Sequence, residues 1–350
     1  MSKRKLGYAV LGLGVGISHV NAALNAENAE LLAVCDLIPE KLAQLKDKHP
    51  SLDTYESFEE MLKRPDIDCV SIATPSGLHA EHAITAMRAG KHVLIEKPID
   101  ITVEKAMEIE KARVETGRTV ACVFQNRTDP LMAEVKKTIA QGKLGNIFTA
   151  SFHVKWYRSQ AYYDSGGWRG TWAMDGGGAL MNQSVHTVDL MQWFLGDPVS
   201  VFGYCGAYLH EIETEDMSAA LIKFKNDAVA TFIGTTCSNP DMGTEIQING
   251  GNGLIYVRGG EIAHWKVNAD RPEESEAEEK RVKGMYSQEA RAGTIAALRS
   301  SVGHDFLVND LCLAVIEGRD PFVTPIDAIK PVSIICGIYE SWKTGRQVML

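Results

Sequence analysis

The stretch Leu6-Gly7-Tyr8-Ala9-Val10-Leu11-Gly12-Leu13-Gly14-Val15-Gly16 decides the fold. Its first six residues form an apolar run of strand length, glycines break that run, and residues 18–25 then carry helical spacing. Strand, glycine turn and helix in this order make a site for the pyrophosphate of a dinucleotide. The glycines Gly12, Gly14 and Gly16 let the backbone approach the anion, Leu13 and Val15 belong to the same cofactor-binding turn, and the helix start offers unpaired N–H groups and a partial positive charge. Roughly twenty residues on, the apolar run Glu30-Leu31-Leu32-Ala33-Val34-Cys35 ends in Asp36, suited to accept hydrogen bonds from the adenosine ribose hydroxyls. Leu37 and Ile38 follow, with no arginine to meet a 2′-phosphate, so the cofactor is expected to be NAD, with NADP less favoured. One departure stands out. The third small residue ordinarily falls at the position held here by Ile17, and this chain places Gly16 there one residue early.

Short apolar runs continue to alternate with helical periodicity through residues 39–48, 57–63, 69–73, 78–89, 93–95, 103–115 and 120–124. That alternation predicts a doubly wound parallel sheet. Within it, Ala89-Gly90-Lys91-His92-Val93-Leu94-Ile95-Glu96-Lys97-Pro98 ends a strand in an ionisable pair and a proline. Proline cannot donate to a sheet ladder, so the chain leaves the sheet there, and ligands of open parallel sheets gather at such strand ends. A lone Lys-Pro is ordinarily a solvated loop; this context makes Lys97 a site residue. Asn126, where the alternation stops, is counted with the cofactor-binding set.

The 350 residues, 45% of them hydrophobic, can bury a sizeable core and suggest two domains, 1–125 and 126–350. The second is expected to be an α+β unit with a largely antiparallel, open-faced sheet, built from strands such as 148–156 and several more between 199 and 257. Two helices, 302–318 and 326–345, close the chain, and the charged stretch 270–283 reads as a surface loop or excursion. An open sheet face needs cover, which predicts a homodimer or homotetramer. A net charge of −9 without a basic stripe excludes a nucleic-acid partner. Lys3-Arg4-Lys5 before an apolar run looks like a leader, but cleavage would remove the first strand, so it is read as mature structure, with no membrane span. Seven scattered cysteines without a C-x-x-C pair point to reduced core thiols and a cytoplasmic location.

A second cluster is Gly176-Gly177-Gly178-Ala179-Leu180-Met181-Asn182-Gln183-Ser184-Val185-His186-Thr187-Val188-Asp189. As one helix, it sets Asn182, His186 and Asp189 on one face and Met181, Val185 and Val188 on another. The glycines would permit close backbone approach, and Asn182 would orient the imidazole one turn on.

With these motifs, and with Ala73-Thr74-Pro75-Ser76-Gly77-Leu78-His79, the chain resembles the glucose-fructose oxidoreductase and inositol dehydrogenase (Gfo/Idh/MocA) family over almost its whole length. The resemblance implies a nicotinamide-dependent oxidoreductase acting on a sugar, polyol or cyclitol. It places Lys97 beside the reacting carbon, with His186 as acid/base. It also sets Thr74, Pro75 and His79 along the cofactor and Glu96 at its nicotinamide end. Many relatives carry aspartate where this chain has Asn182, which supplies no negative charge to an imidazolium. Either Lys97 or His186 is therefore the base, and Lys97 alternatively only donates a hydrogen bond. Substrate recognition is expected from Lys97, Arg127, Trp168, Arg169, Asn182 and His186, since aromatic faces suit sugar C–H groups and guanidinium suits their oxygens. For Arg169 a cofactor contact is an equal alternative. No closed ligand spacing marks a metal site. Two other readings stay open, a transhydrogenating sugar oxidoreductase with tightly held cofactor and a non-catalytic dinucleotide sensor.

Overall fold

The computed structural model describes residues 5–287 and 302–350; Lys3 and Arg4 of the leader-like start lie outside them. Two compact units divide the chain: residues 5–128 with 302–329, and residues 129–287 with 330–350.

In the first unit β1 (Leu6–Leu11), β2 (Ala29–Cys35), β3 (Asp53–Tyr55), β4 (Cys69–Ile72), β5 (His92–Ile95) and β6 (Val120–Cys122) form one parallel sheet in the order β3-β2-β1-β4-β5-β6. Helices covering both faces require these strands to be apolar on both sides, and β1 and β4 are buried along their whole length. The order reverses between β1 and β4, which puts the turn after β1 and the segment after β4 on either side of the crevice where such sheets take ligands.

The expected division at residue 125 does not describe this unit fully. Helix Gly303–Glu317 returns to it and packs against helix Gly16–Asn25, with Asn309 Oδ1 accepting from the Asn28 backbone N–H at 3.1 Å, and beyond the helix the Val323 carbonyl accepts from Cys122 N–H at 3.1 Å. Leu307, Val308, Leu311 and Cys312 are its buried side. Their spacing announces a buried face without naming the unit that buries it.

In the second unit β7 (Ile147–Lys155), β8 (Pro198–Gly206), β9 (Met217–Phe224), β10 (Val229–Thr235), β11 (Gly243–Gly250), β12 (Gly253–Arg258), β13 (Glu261–Lys266) and β14 (Val348–Met349) form a mixed, mostly antiparallel sheet, ordered β13-β12-β11-β7-β10-β9-β8-β14. The central β7–β10 pair is parallel. Alternation fixes its two faces: Ala150, Phe152 and Val154 are buried, whereas Ser151, His153 and Lys155 face the opposite side and are only half-buried. The charged stretch expected to be a loop is the helix Pro272–Met285. Proline in its first turn, Glu273 and Glu274 near its start, and the Arg281–Glu278 and Lys283–Glu279 pairs all favour a helix there.

Candidate active site

At the carboxyl edge of the parallel sheet, the turn after β1 is built for an anion. Helix Gly16–Asn25 starts without a side-chain cap and without an acidic residue in its first turn, so no side-chain acceptor competes for its leading N–H groups, of which Ile17 and Ser18 donate to the Gly14 and Val15 carbonyls. A Cβ at Gly14 would meet nothing within 4 Å, whereas one at Gly16 would press on Val10 and Ala73 at 3.2 Å. Gly16 is therefore the close-packing glycine of the turn, and the early third glycine does the work expected one position later. Gly12, at φ +89°, turns the chain away from the strand.

Asp36 lies at the end of β2 with one carboxylate oxygen accepting from Leu13 N–H at 2.6 Å and the other from Ile38 N–H at 2.9 Å. It thus ties the glycine turn to the acidic strand end. Lys41 Nζ approaches it at 3.4 Å, a cation that the sequence did not flag. The glycine turn, the uncapped helix and Asp36 together fit a dinucleotide. When bound, its nicotinamide ring supplies the hydride acceptor or donor.

After β4, Thr74 and Pro75 are half-buried at the same edge, while His79 is almost fully buried behind them. Its Nδ1 meets the Pro98 carbonyl at 2.7 Å and its Nε2 the Thr74 carbonyl at 2.9 Å, so it shapes both segments. Glu96 is buried at the end of β5. His19 Nε2 and His304 Nε2 both reach its Oε1, at 2.9 and 3.0 Å, and its Oε2 accepts from Lys97 N–H at 3.0 Å. Burial alone would raise the Glu96 carboxyl, but the hydrogen bonds from His19 and His304 outweigh it and hold the group well below the usual carboxylate range. Burial in turn pushes the His19 imidazole down. Lys97, half-buried, follows directly, with Asn126 half-buried in the turn Gln125–Thr128 after β6. Arg127 is buried, its guanidinium over Phe124 and 4.0 Å from Asp327.

In the second unit the glycine run does not open one continuous α-helix. Ala179–Gln183 is a π-helical turn, Ser184 interrupts it, and helix Val185–Leu195 follows. Asn182 and His186 are both half-buried, but Asp189 is fully buried and accepts from Gln192 Nε2 at 3.1 Å. The expected three-residue polar face is thus reduced to two. Asn182 Nδ2 donates to Asp175 Oδ1, and Gln183 Nε2 donates to Asn182 Oδ1 at 2.9 Å and to Tyr162 Oη at 2.8 Å. The carboxylate absent at position 182 is therefore present one hydrogen bond away, on Asp175. No periodicity points to it, because a glycine run separates the two residues.

Arg169 donates to Tyr162 Oη at 3.0 Å and stacks its guanidinium over Tyr162 and Trp168, at 4.7 and 4.6 Å from the ring centroids. An open cavity of about 540 Å³ adjoins it, lined by Tyr163, Asp164, Arg169, Gly170, Glu211 and Glu213 among others. Trp172 instead donates to the Glu213 carbonyl at 2.9 Å and packs edge-on against Tyr339. His153 stands on the sheet, 3.3 Å from Glu245. Two groups among the described residues have donor sets that a metal ion could use, His19 with Glu96 and His304, and His210 with Asp216 and Cys237. In both, a histidine to carboxylate hydrogen bond explains the close approach.

Comparison with known proteins agrees with this construction. Residues 6–124 match the oxidoreductase family with an NAD-binding Rossmann fold, and residues 132–256 match the GFO/IDH/MocA C-terminal domain. The structure of the WlbA dehydrogenase from Bordetella pertussis, in complex with NADH and UDP-GlcNAcA, is 30% identical, with a TM-score of 0.89 over 100% of this chain and 99% of that one. The NADP-dependent scyllo-inositol 2-dehydrogenase IolW of Bacillus subtilis is 25% identical, the match covering 97% of this chain and 95% of the relative. A 1-carboxy-3-chloro-3,4-dihydroxycyclohexa-1,5-diene dehydrogenase of Comamonas testosteroni is 31% identical over 66% of this chain, which spans 59% of that protein's length. The chain belongs to the Gfo/Idh/MocA family of NAD-binding oxidoreductases.

Proposed function

We propose that this protein is a dehydrogenase that oxidises a hydroxyl carbon of a sugar, sugar derivative or cyclitol with NAD in preference to NADP. The observation that carries the reading is the carboxyl edge of the parallel sheet, where the uncapped glycine turn, Asp36 and Lys97 follow the ends of β1, β2 and β5. Asp36 suits ribose hydroxyls and repels a 2′-phosphate, although Lys41 beside it softens that repulsion. Lys97 takes or steadies the proton of the reacting hydroxyl, and His186, on the helix that follows the turn carrying Asn182, is the second proton-handling group. Arg169 on its aromatic support, with Trp168, binds substrate oxygens and C–H faces. Arg127 is left out of the substrate set because its guanidinium is buried against Phe124 and Asp327. The half-buried sheet face carrying Ser151, His153 and Lys155 is the surface on which we expect a second copy to pack, giving a dimer or tetramer.

The 30% identity and full-length coverage favour a uronic acid carried on a nucleotide as the first compound to try. Purified protein is assayed with NAD and with NADP against UDP-N-acetylglucosaminuronate, scyllo-inositol, myo-inositol and levoglucosan, following nicotinamide absorbance. Reduction of NAD by at least one of these supports the reading. No turnover across the panel by folded, NAD-binding protein overturns it.

A further inference from the structure

Glu215 has no part in the proposed chemistry, yet it is fully buried and collects an unusual set of donors. Its carboxylate accepts from Gly178 N–H at 3.1 Å, from Leu180 N–H at 2.7 Å and from Tyr339 O–H at 3.0 Å. Its main-chain carbonyl accepts from Ala179 N–H at 3.0 Å. Three consecutive N–H groups, at and just before the start of the π-helical turn, are therefore received by one residue 35 to 37 positions away. Leading amides of a helical turn have no partner within it, so a buried turn needs an outside acceptor.

The fit is close on every side. A Cβ at Gly178 would lie 2.2 Å from the Glu215 carbonyl oxygen, and one at Gly177 would lie 2.0 Å from Tyr339 Oη. The close backbone approach that these glycines permit is thus made by Glu215 and Tyr339. The neighbouring Asp216 faces the other way, accepting from Tyr208, Leu209 and His210 N–H groups at 2.8 to 2.9 Å. The Glu215-Asp216 pair therefore anchors two loops at the start of β9.

We propose that Glu215 is the positioning residue of the second unit: it caps the turn Ala179–Gln183 and thereby sets Asn182 and the start of the helix that carries His186. The inference rests on reading Asn182 and His186 as site residues. Burial pushes the Glu215 carboxyl up to about 7, against the opposing hydrogen bonds from Leu180 and Gly178. The site retains a carboxyl there despite that desolvation.

Glu215→Gln keeps the size but turns an amide N–H₂ toward donors. Three readouts follow on the parent and the variant: amide hydrogen exchange at Gly178 and Leu180, whose N–H groups meet the carboxylate, ring resonances of His186, His19 and His79, and steady-state kinetics on whichever panel sugar the parent oxidises. We expect exchange to quicken at least about tenfold at those amides, the scale of a lost buried hydrogen bond. The His186 resonances should move while those of His19 and His79 stay. kcat should fall about tenfold or more, with the KM for NAD within about twofold, since distant sites act independently. Unmoved His186 resonances and unchanged kcat in folded Glu215→Gln would overturn the proposal, as would equal disturbance of His19 and His79. Should Glu215→Gln not fold, Tyr339→Phe removes one of the bonds and must show the same directions; parent-like behaviour there also overturns it. If the parent oxidises no panel sugar, the proposed function fails, while the exchange and resonance data still decide the role of Glu215.

Discussion

Gly14 in the first unit and Gly178 in the second are both members of glycine runs that precede a helical turn, and they do opposite things. Space stands open where a Cβ at Gly14 would go, whereas the corresponding space at Gly178 is filled by the backbone of Glu215. On the proposed reading, the first glycine leaves room for the dinucleotide. The second leaves room for the protein itself. The contrast extends to what holds each site: the turn after β1 is tied mainly by its own strand, helix and Asp36, while the turn before His186 hangs on Glu215, Asp175 and Tyr339.

The largest test of this contrast is Lys97→Ala. It should lower kcat by about 10² or more, the usual range for an acid/base group, without changing NAD binding measured by fluorescence titration. Near-parent turnover would remove Lys97 from the site and leave the first unit as a cofactor holder alone.

Next comes the pH dependence of stability. The Glu215 carboxyl sits at about 7 in the folded protein and near 4.5 when unfolded, so the native state holds the proton over that window. Stability from this group is present at low pH and is lost as pH rises through 7, by about 3 kcal/mol from the size of the shift. Comparing urea melts at pH 5 and pH 8 for the parent and Glu215→Gln isolates it. A pH difference of equal size in the variant would assign the loss to other groups.

The two glycines supply a paired test. Gly178→Ala should destabilise by about 1–3 kcal/mol through overpacking, read as a lower Tm. Gly14→Ala should keep its Tm but bind NAD more weakly. If both behave alike, the difference between the runs is not functional.

Asn182→Asp probes the charge near His186. It sets a carboxylate against the Asp175 oxygen that Asn182 now meets, and like charges raise the pKa of one of them. The acidic limb of kcat/KM should therefore move by less than about one unit. Combining it with Asp175→Asn relocates a single charge to position 182, and the limb should then rise by about one unit, as a more basic His186 demands. Coincident profiles for parent and double variant would show that His186 is not the base.

Last is the cofactor preference, expected at about tenfold for NAD over NADP in kcat/KM, or about 1.4 kcal/mol. Lys41→Ala should widen it, because that cation lies 3.4 Å from Asp36. An unchanged ratio would mean that Lys41 does not face the ribose.

Much of the first unit was legible in sequence because its site residues follow strand ends in chain order. The apolar runs, the glycine turn, Asp36 and Lys97 each mark their own place. The second unit was legible as a strand-rich domain, and Asn182 and His186 do share partial exposure, but the single helix drawn through them is interrupted at Ser184. The charged stretch ending at Lys283 misled for a different reason: high charge signals exposure, and an exposed segment can still be helical when its charges pair at i+3 and i+4.

By itself, then, the sequence determined the parallel sheet, the dinucleotide turn and the candidate lysine, since periodicity and turn chemistry act between neighbours along the chain. Only the tertiary structure decided that helix Gly303–Glu317 completes the first unit, that Arg127 is buried against Asp327, and that Asp175 and Glu215 stand behind Asn182 and the glycine run. A buried face or a spare N–H records that a partner is needed. Which residue meets it, tens or hundreds of positions away, is settled when the chain packs.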